Sequence, residues 1–155
     1  TEKTETITQV DLTKSVCYFL GMNPSSGTMD DQFSRVSLVN STTVKAERDA
    51  HNSKAHPHTM LCVLEFSSGI ASVQQGVSDL AGNEGVKDVT IDEVDITKAI
   101  LFYGGWSFDT GYDLMEADHY WPHIYLRNST TVRAIRSADA PSQHTYVGFT
   151  VLEFS

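Results

Sequence analysis

Two stretches of this chain are written twice. Asn40 to Arg48 reads NSTTVKAER, and Val63 to Ser67, fourteen residues later, reads VLEFS. Asn128 to Arg136 reads NSTTVRAIR, and Val151 to Ser155, again fourteen residues later, reads VLEFS. Upstream, ITQVDLTKSVCYFLG (Ile7 to Gly21) recurs as IDEVDITKAILFYGG (Ile91 to Gly105). The upstream match has an offset of 84 residues and the downstream match one of 88, so one loop between Gly21 and Asn40 changed length by four. An internal repeat of this kind constrains the fold before any other reading. It also duplicates every shared residue. A single catalytic centre needs its groups once, so the shared residues are read first as scaffold.

The spacing of apolar residues within each copy points to strands. Val16, Tyr18 and Leu20 alternate with Cys17 and Phe19, and Cys62, Leu64 and Phe66 with Val63 and Glu65. Thr4 to Val10, Ser15 to Leu20, Phe33 to Val39, Thr42 to Arg48 and Thr59 to Phe66 read as strands. The second copy repeats them at Val89 to Val94, Ala99 to Tyr103, His123 to Leu126, Thr130 to Arg136 and Tyr146 to Phe154. Ile70 to Val77 adds one more, crossing between the copies or completing one sheet. No stretch carries a helical period. The expectation is all-β: two tandem duplicated antiparallel β-sandwich modules, little or no helix. Their bounds are 1–68 and 88–155, with a connecting strand and linker at 69–87.

The chain has 155 residues, 40% of them hydrophobic, and a net charge of −9. That charge argues against nucleic-acid binding, which needs cations to displace counterions. No run of about 18 apolar residues suits a membrane-spanning helix, and TEKTETITQV carries no signal-peptide pattern. Cys17 and Cys62 both fall in the first copy, opposite Leu101 and Thr150 in the second. A bridge between them is open, but two reduced thiols are the expectation.

Arg48 and Glu65 recur as Arg136 and Glu153. A ligand-binding ion pair would use these residues. Their duplication within strands favours structural pairs, each joining neighbours inside its own module. Asp11, Thr13 and Lys14 recur as Asp95, Thr97 and Lys98. No nucleophile with an orienting third group accompanies them, and an Asx turn at a strand bend explains them. Six histidines, His51, His56, His58, His119, His123 and His144, match no metal-ligand spacing, so neither metal nor cofactor is expected. The sequons at Asn40 and Asn128 read as tight turns. Glu116 and Asp118 are the only acids near an aromatic loop that could serve a glycan hydrolase, so an enzyme is not expected.

The copies differ most in Gly104 to His123, which holds Trp106, Phe108, Tyr112, Tyr120 and Trp121. Exposed aromatics there would suit sugar stacking or a protein contact. The alternative is that the loop folds back on its own module.

The anchors Val10, Asp11, Lys14, Thr43, Val44, Arg48, Glu65, Phe66 and Ser72 to Gly76, with their second set Val94, Asp95, Lys98, Thr131, Val132, Arg136, Glu153 and Phe154, resemble small β-rich virion structural proteins of tailed bacteriophages, of tail, fibre or head-decoration type. The resemblance implies a non-enzymatic component of the virion. Its partners would be capsid or tail subunits and further copies of itself, as a trimer or other ring. A carbohydrate-binding or host-adhesion module using loop 104–123 is the alternative. SVQQG follows VLEFS once, so the second module is expected to lack a strand or to borrow one from a neighbouring subunit.

Overall fold

The computed structural model describes residues 2–23, 33–48, 58–108, 121–137 and 144–155. These residues form strands β1 (Glu2–Thr6), β2 (Ser15–Asn23), β3 (Arg35–Asn40), β4 (Thr43–Glu47), β5 (His58–Glu65), β6 (Ile70–Leu80), β7 (Val86–Thr90), β8 (Ala99–Phe108), β9 (His123–Asn128), β10 (Thr131–Ile135) and β11 (Thr145–Phe154). No helix is present among the described residues, so the chain is all-β. Every ladder is antiparallel. Three sheets result, with orders β1-β4-β3-β8-β11-β6, β7-β10-β9 and β2-β5.

Matching positions of the repeat pair in matching register. Glu2 faces Glu47 in β1·β4, as Val86 faces Ile135 in β7·β10. Ser15 faces Glu65 in β2·β5, as Ala99 faces Glu153 in β8·β11. The NST tripeptides are turns: Asn40 Oδ1 accepts from the amide and hydroxyl of Thr42 at 2.9 and 3.1 Å, and Asn128 does the same for Thr130 at 3.0 and 3.3 Å. An asparagine that mimics a backbone turn in this way closes a short hairpin.

The first strand of each copy stops earlier than alternation suggests. Ile7 and Val10 donate their amides to Thr42 and Ser41 carbonyls at 2.8 Å, and Ile91 and Val94 do so to Thr130 and Ser129 at 3.0 and 2.9 Å. The backbone bends there, and the apolar side chains enter the core without a further ladder. Two cores follow. Cys17, Val36, Leu38 and Val44 pack with Ile7, Val10, Leu61 and Val63; Val94, Val132, Phe149 and Val151 pack with Ile91, Leu101 and Leu126.

A third cluster draws on both halves: Phe33, Leu80, Trp106, Phe108, Ala134 and Val147, with Met22, Tyr103 and Ile124 against it. Residues at matching repeat positions also meet across the middle. The ring centroids of Tyr18 and Phe102 are 5.7 Å apart, those of Phe19 and Tyr103 6.3 Å, and those of Phe66 and Phe154 5.9 Å. Three ring contacts thus join equivalent positions of the two sequence copies. The strand expected at Ile70 to Val77 completes a sheet: β6 pairs with β11 from Ile70 opposite Phe154 to Leu80 opposite Thr145. Contrary to expectation, the second copy therefore neither lacks this strand nor borrows it from a neighbouring subunit.

Candidate functional site

The recurring polar residues are spent on the backbone. Asp11 Oδ1 accepts from the Thr13 amide at 2.9 Å and hydroxyl at 2.7 Å, and the Lys14 amide donates to the Asp11 carbonyl at 3.0 Å. The Asp11 amide donates to Glu65 Oε1 at 2.9 Å, and the Phe66 amide to the Lys14 carbonyl at 3.0 Å. The second copy repeats the set through Asp95, Thr97, Lys98, Glu153 and Phe154, with the Asp95 amide 2.7 Å from Glu153 Oε1. The Thr13 and Thr97 hydroxyls, then their amides, hold the Asp11 and Asp95 carboxyls below the ordinary value of 3.8. A shallow depression lies over Gln9, Asp11, Ser41 and Glu65, but its two carboxylates already hold the turn. The arrangement fastens the bend before β2 or β8 to the end of β5 or β11.

This corrects the expected ion pairs. Arg136 is 4% exposed; it donates Nε to the Glu84 carbonyl at 3.0 Å, Nη1 to Thr145 Oγ1 at 2.7 Å, and Nη2 to the Gly82 carbonyl. Thr145 begins β11 and Glu153 lies eight residues along it, about 27 Å away at the usual rise of a strand. Arg136 and Glu153 are therefore not neighbours. Arg48 follows Glu47 at the far end of β4, whereas Glu65 sits beside Asp11, close to the Ser41 end. Equal spacing in sequence placed each arginine and glutamate at opposite ends of a module. Among the described residues, ion pairs are seen elsewhere in the two copies. Arg35 reaches Glu47 at 2.6 Å, and Lys45 reaches Glu47 at 2.9 Å. Burial pushes the Glu47 carboxyl up, but the Lys45 hydrogen bond and the Arg35 charge outweigh it, and the net shift is downward. In the second copy Asp88 takes Arg133 at 2.6 Å and Arg127 at 2.7 Å.

The aromatic loop is corrected too. Trp106 is 6% exposed and Phe108 1%; both belong to the core shared by the halves, with Phe33 stacked on Trp106 at 4.6 Å. Trp121 is 53% exposed, its ring 5.2 Å from that of Trp106. Tyr112 and Tyr120, like Glu116 and Asp118, lie outside the described residues. The Gly-Gly before Trp106 explains the turn inward. Gly104 crosses Gly148 so closely that a Cβ on Gly104 would lie 2.8 Å from the Gly148 carbonyl carbon, and Gly105 has φ +81° with its Cβ position 2.4 Å from the Ser34 carbonyl oxygen. Only glycine accepts that approach and that φ together.

A polar strip crosses β6, β11 and β8, where Tyr146 faces Asp79 on one side and Ser107 on the other. His144 Nδ1 is 2.8 Å from Asp79 Oδ1, and its ring stacks on Tyr146 at 5.8 Å. The Arg35 guanidinium lies 4.9 Å over Tyr146 and donates to Ser107 Oγ at 2.9 Å. Ser107 Oγ is the acceptor of that hydrogen bond. The strip ties β3 to the β8·β11 ladder.

Among the described residues no three His, Cys, Asp or Glu side chains converge as a metal site, and no helix is long and apolar enough to cross a membrane. His58 and His123 are exposed at strand starts; His51, His56 and His119 are not among the described residues. Cys17 and Cys62 are free. Cys17 faces Val63 and Cys62 faces Tyr18, so the thiols point to opposite faces of the ladder. Burial, with Cys62 nearby, pushes the Cys17 thiol up to about 12.

Sequence reasoning gave Gln74 and Gln75 no role, and they are clamps. The Gln75 side-chain amide accepts from the Leu38 amide and donates to the Leu38 carbonyl, both at 3.0 Å. Gln74 does the same for Asp92, at 2.7 and 3.1 Å. Each glutamine mimics one rung of a β-ladder, one holding the first copy and one the second. Two adjacent polar residues inside an apolar strand face opposite sides, and that was the available signal.

No family model, curated protein or solved structure matches the chain.

Proposed function

We propose that this chain is a non-enzymatic structural protein of a tailed-bacteriophage virion, assembling on a capsid or tail surface with other virion proteins and with copies of itself. The sequence resemblance to small β-rich virion proteins supplies the setting. The observation that supports the scaffold role is the use made of the shared residues. Asp11, Thr13, Lys14 and Glu65, and their counterparts Asp95, Thr97, Lys98 and Glu153, all bind backbone or one another within the fold. Proteomics and negative-stain microscopy of purified particles labelled with antibody to this chain test the proposal. The expected result is label at regular positions on every particle; particles that lack the chain overturn it.

The second reading, adhesion to a host glycan, keeps one supporting observation, the exposed ring of Trp121 backed by Trp106. A sugar stacked there quenches tryptophan fluorescence in the parent chain and not in Trp121→Ala. Unchanged fluorescence across a glycan panel removes this reading.

A further inference from the structure

Strand β11 is flanked on both sides, by β8 and by β6. Its repeat counterpart β5 is flanked on one side, by β2, and no described strand covers its outer edge. The strand that covers β11 is the one that follows the other copy's VLEF. It runs the full length of the ladder, with Ser72 opposite Glu153, Gln74 opposite Val151, Gln75 opposite Thr150 and Gly76 opposite Phe149. Each of those residues has a fitted job. Ser72 donates to Glu153 Oε2 at 3.1 Å, the glutamines clamp Asp92 and Leu38, and Gly76 leaves room for the Phe149 ring, which a Cβ would meet at 2.5 Å.

β5 carries the matching edge positions, and no described strand occupies them. Val63 and Glu65 stand where Val151 and Glu153 stand, with Cys62 and Leu61 in place of Thr150 and Phe149. Glu65 Oε1 holds the Asp11 amide as Glu153 Oε1 holds that of Asp95, while a serine bound to its other oxygen is found only at Glu153 among the described residues. Met60 is 52% exposed and Leu64 38%. His58 to Glu65, HTMLCVLE, carries neither the lysine nor the proline that blunts an open edge.

We infer that the outer edge of β5 is an acceptor for a strand of the β6 type, supplied by another protein unit built on this repeat from the segment after its own VLEF. The incoming serine would face Glu65, its two glutamines Val63 and Cys62, and its glycine Leu61. Addition of such a strand is β-augmentation, with main-chain bonds giving affinity and the glutamine pair giving register. Within this chain one copy already donates its strand to the other; the open edge passes the same contact to a partner. The inference holds whether or not the chain belongs to a virion.

The test uses the full chain and a labelled synthetic peptide of residues Ser68–Leu80. Fluorescence anisotropy is expected to show saturable binding, weakened about tenfold in a peptide with both glutamines changed to alanine. Backbone amide shifts are expected at Thr59 to Glu65. Val63→Pro removes a ladder donor and abolishes binding; if that variant fails to fold, Leu64→Lys serves in its place. No binding, equal binding of a scrambled peptide, or shifts confined to β11 through exchange with the chain's own β6 would each overturn the inference.

Discussion

Val63–Phe66 and Val151–Phe154 carry the same four residues and live in different surroundings. Val151 and Leu152 are 0% exposed, whereas Val63 is half-buried and Leu64 is 38% exposed. The local backbone work is the same at both, since each glutamate holds the amide of its own Asp turn. What differs is the neighbour. β11 lies between β6 and β8 in one sheet; β5 has β2 alone among the described strands. A sequence motif therefore specifies turns and register, while burial is conferred by whichever strand arrives from elsewhere.

The largest test of that contrast is a matched truncation. Leu152→Ala opens a fully buried site and should destabilise by about 2–5 kcal/mol, whereas Leu64→Ala should stay below about 1 kcal/mol. Urea unfolding of the two variants measures both. Equal losses would break the comparison, because they would mean that β5 is covered as β11 is.

The next effect concerns a position where the copies chose opposite residues. Leu20, 58% exposed on β2, corresponds to Gly104 on β8, where the backbone of Gly148 passes. Gly104→Ala should cost about 1–3 kcal/mol by overpacking, since backbone cannot give way as a side chain can. Leu20→Gly should cost about 1 kcal/mol, the usual penalty of glycine inside a regular element. Thermal melts of the pair would sharpen the comparison if the loss is greater at Gly104. A tolerated alanine there would show that the crossing is looser than its geometry.

These contrasts mark where sequence reading succeeds and where it stops. Alternation and turn chemistry found every strand now seen in β2 to β5 and β8 to β11, because Val36 and Leu38, or Asn40 and Thr42, act over a few residues. The Asp11 and Asp95 turns were read correctly for the same reason. For Trp106 and Phe108 an exposed contact surface and an inward fold were both open, and the burial that decides between them depends on Phe33 and Leu80, distant in sequence. The arginines were misjudged because equal spacing says nothing about which end of an antiparallel strand a residue occupies. Arg136 is explained by Gly82 and Glu84, residues outside the repeat that pairing by sequence never considered.

The glutamine clamps give a smaller, directional test. Gln75 bridges from β6 to the first copy and its bonds are half-buried; Gln74 stays with the second copy and its bonds are exposed. Gln75→Ala should lower stability by about 1–2 kcal/mol, and Gln74→Ala by less than about 1 kcal/mol, where water replaces the lost bonds. Denaturant midpoints at unchanged slope report this. A reversed order would mean that β6 is held mainly by its ladder with β11, and that the contact between halves does not use Gln75.

The smallest effect should be the same in both halves. The Asp11 and Asp95 carboxyls are held below 3.8, each first by a threonine hydroxyl, then by the same threonine's amide, with Lys14 adding a further hydrogen bond at Asp11. A carboxyl whose folded value is lowered binds its proton less readily in the folded state than in the unfolded one. Its contribution is therefore complete above the unfolded value and is lost as pH falls through the folded one. Stability should decline on acidification below about pH 4, and Asp11→Asn and Asp95→Asn should each flatten that decline by a similar amount. Both side chains are open to solvent, so salt should weaken the effect where charge contributes, more at Asp11, where Lys14 comes within 3.2 Å, than at Asp95, where Lys98 acts through its charge alone. Carboxyl titration followed by NMR measures the two midpoints in one sample. Two depressed midpoints lying close together would show that the turn is set by local residues alone. A clear separation, with Asp95 lower, would show that covering a strand edge strengthens the turn at its end, and the division between local turns and conferred burial would fail there.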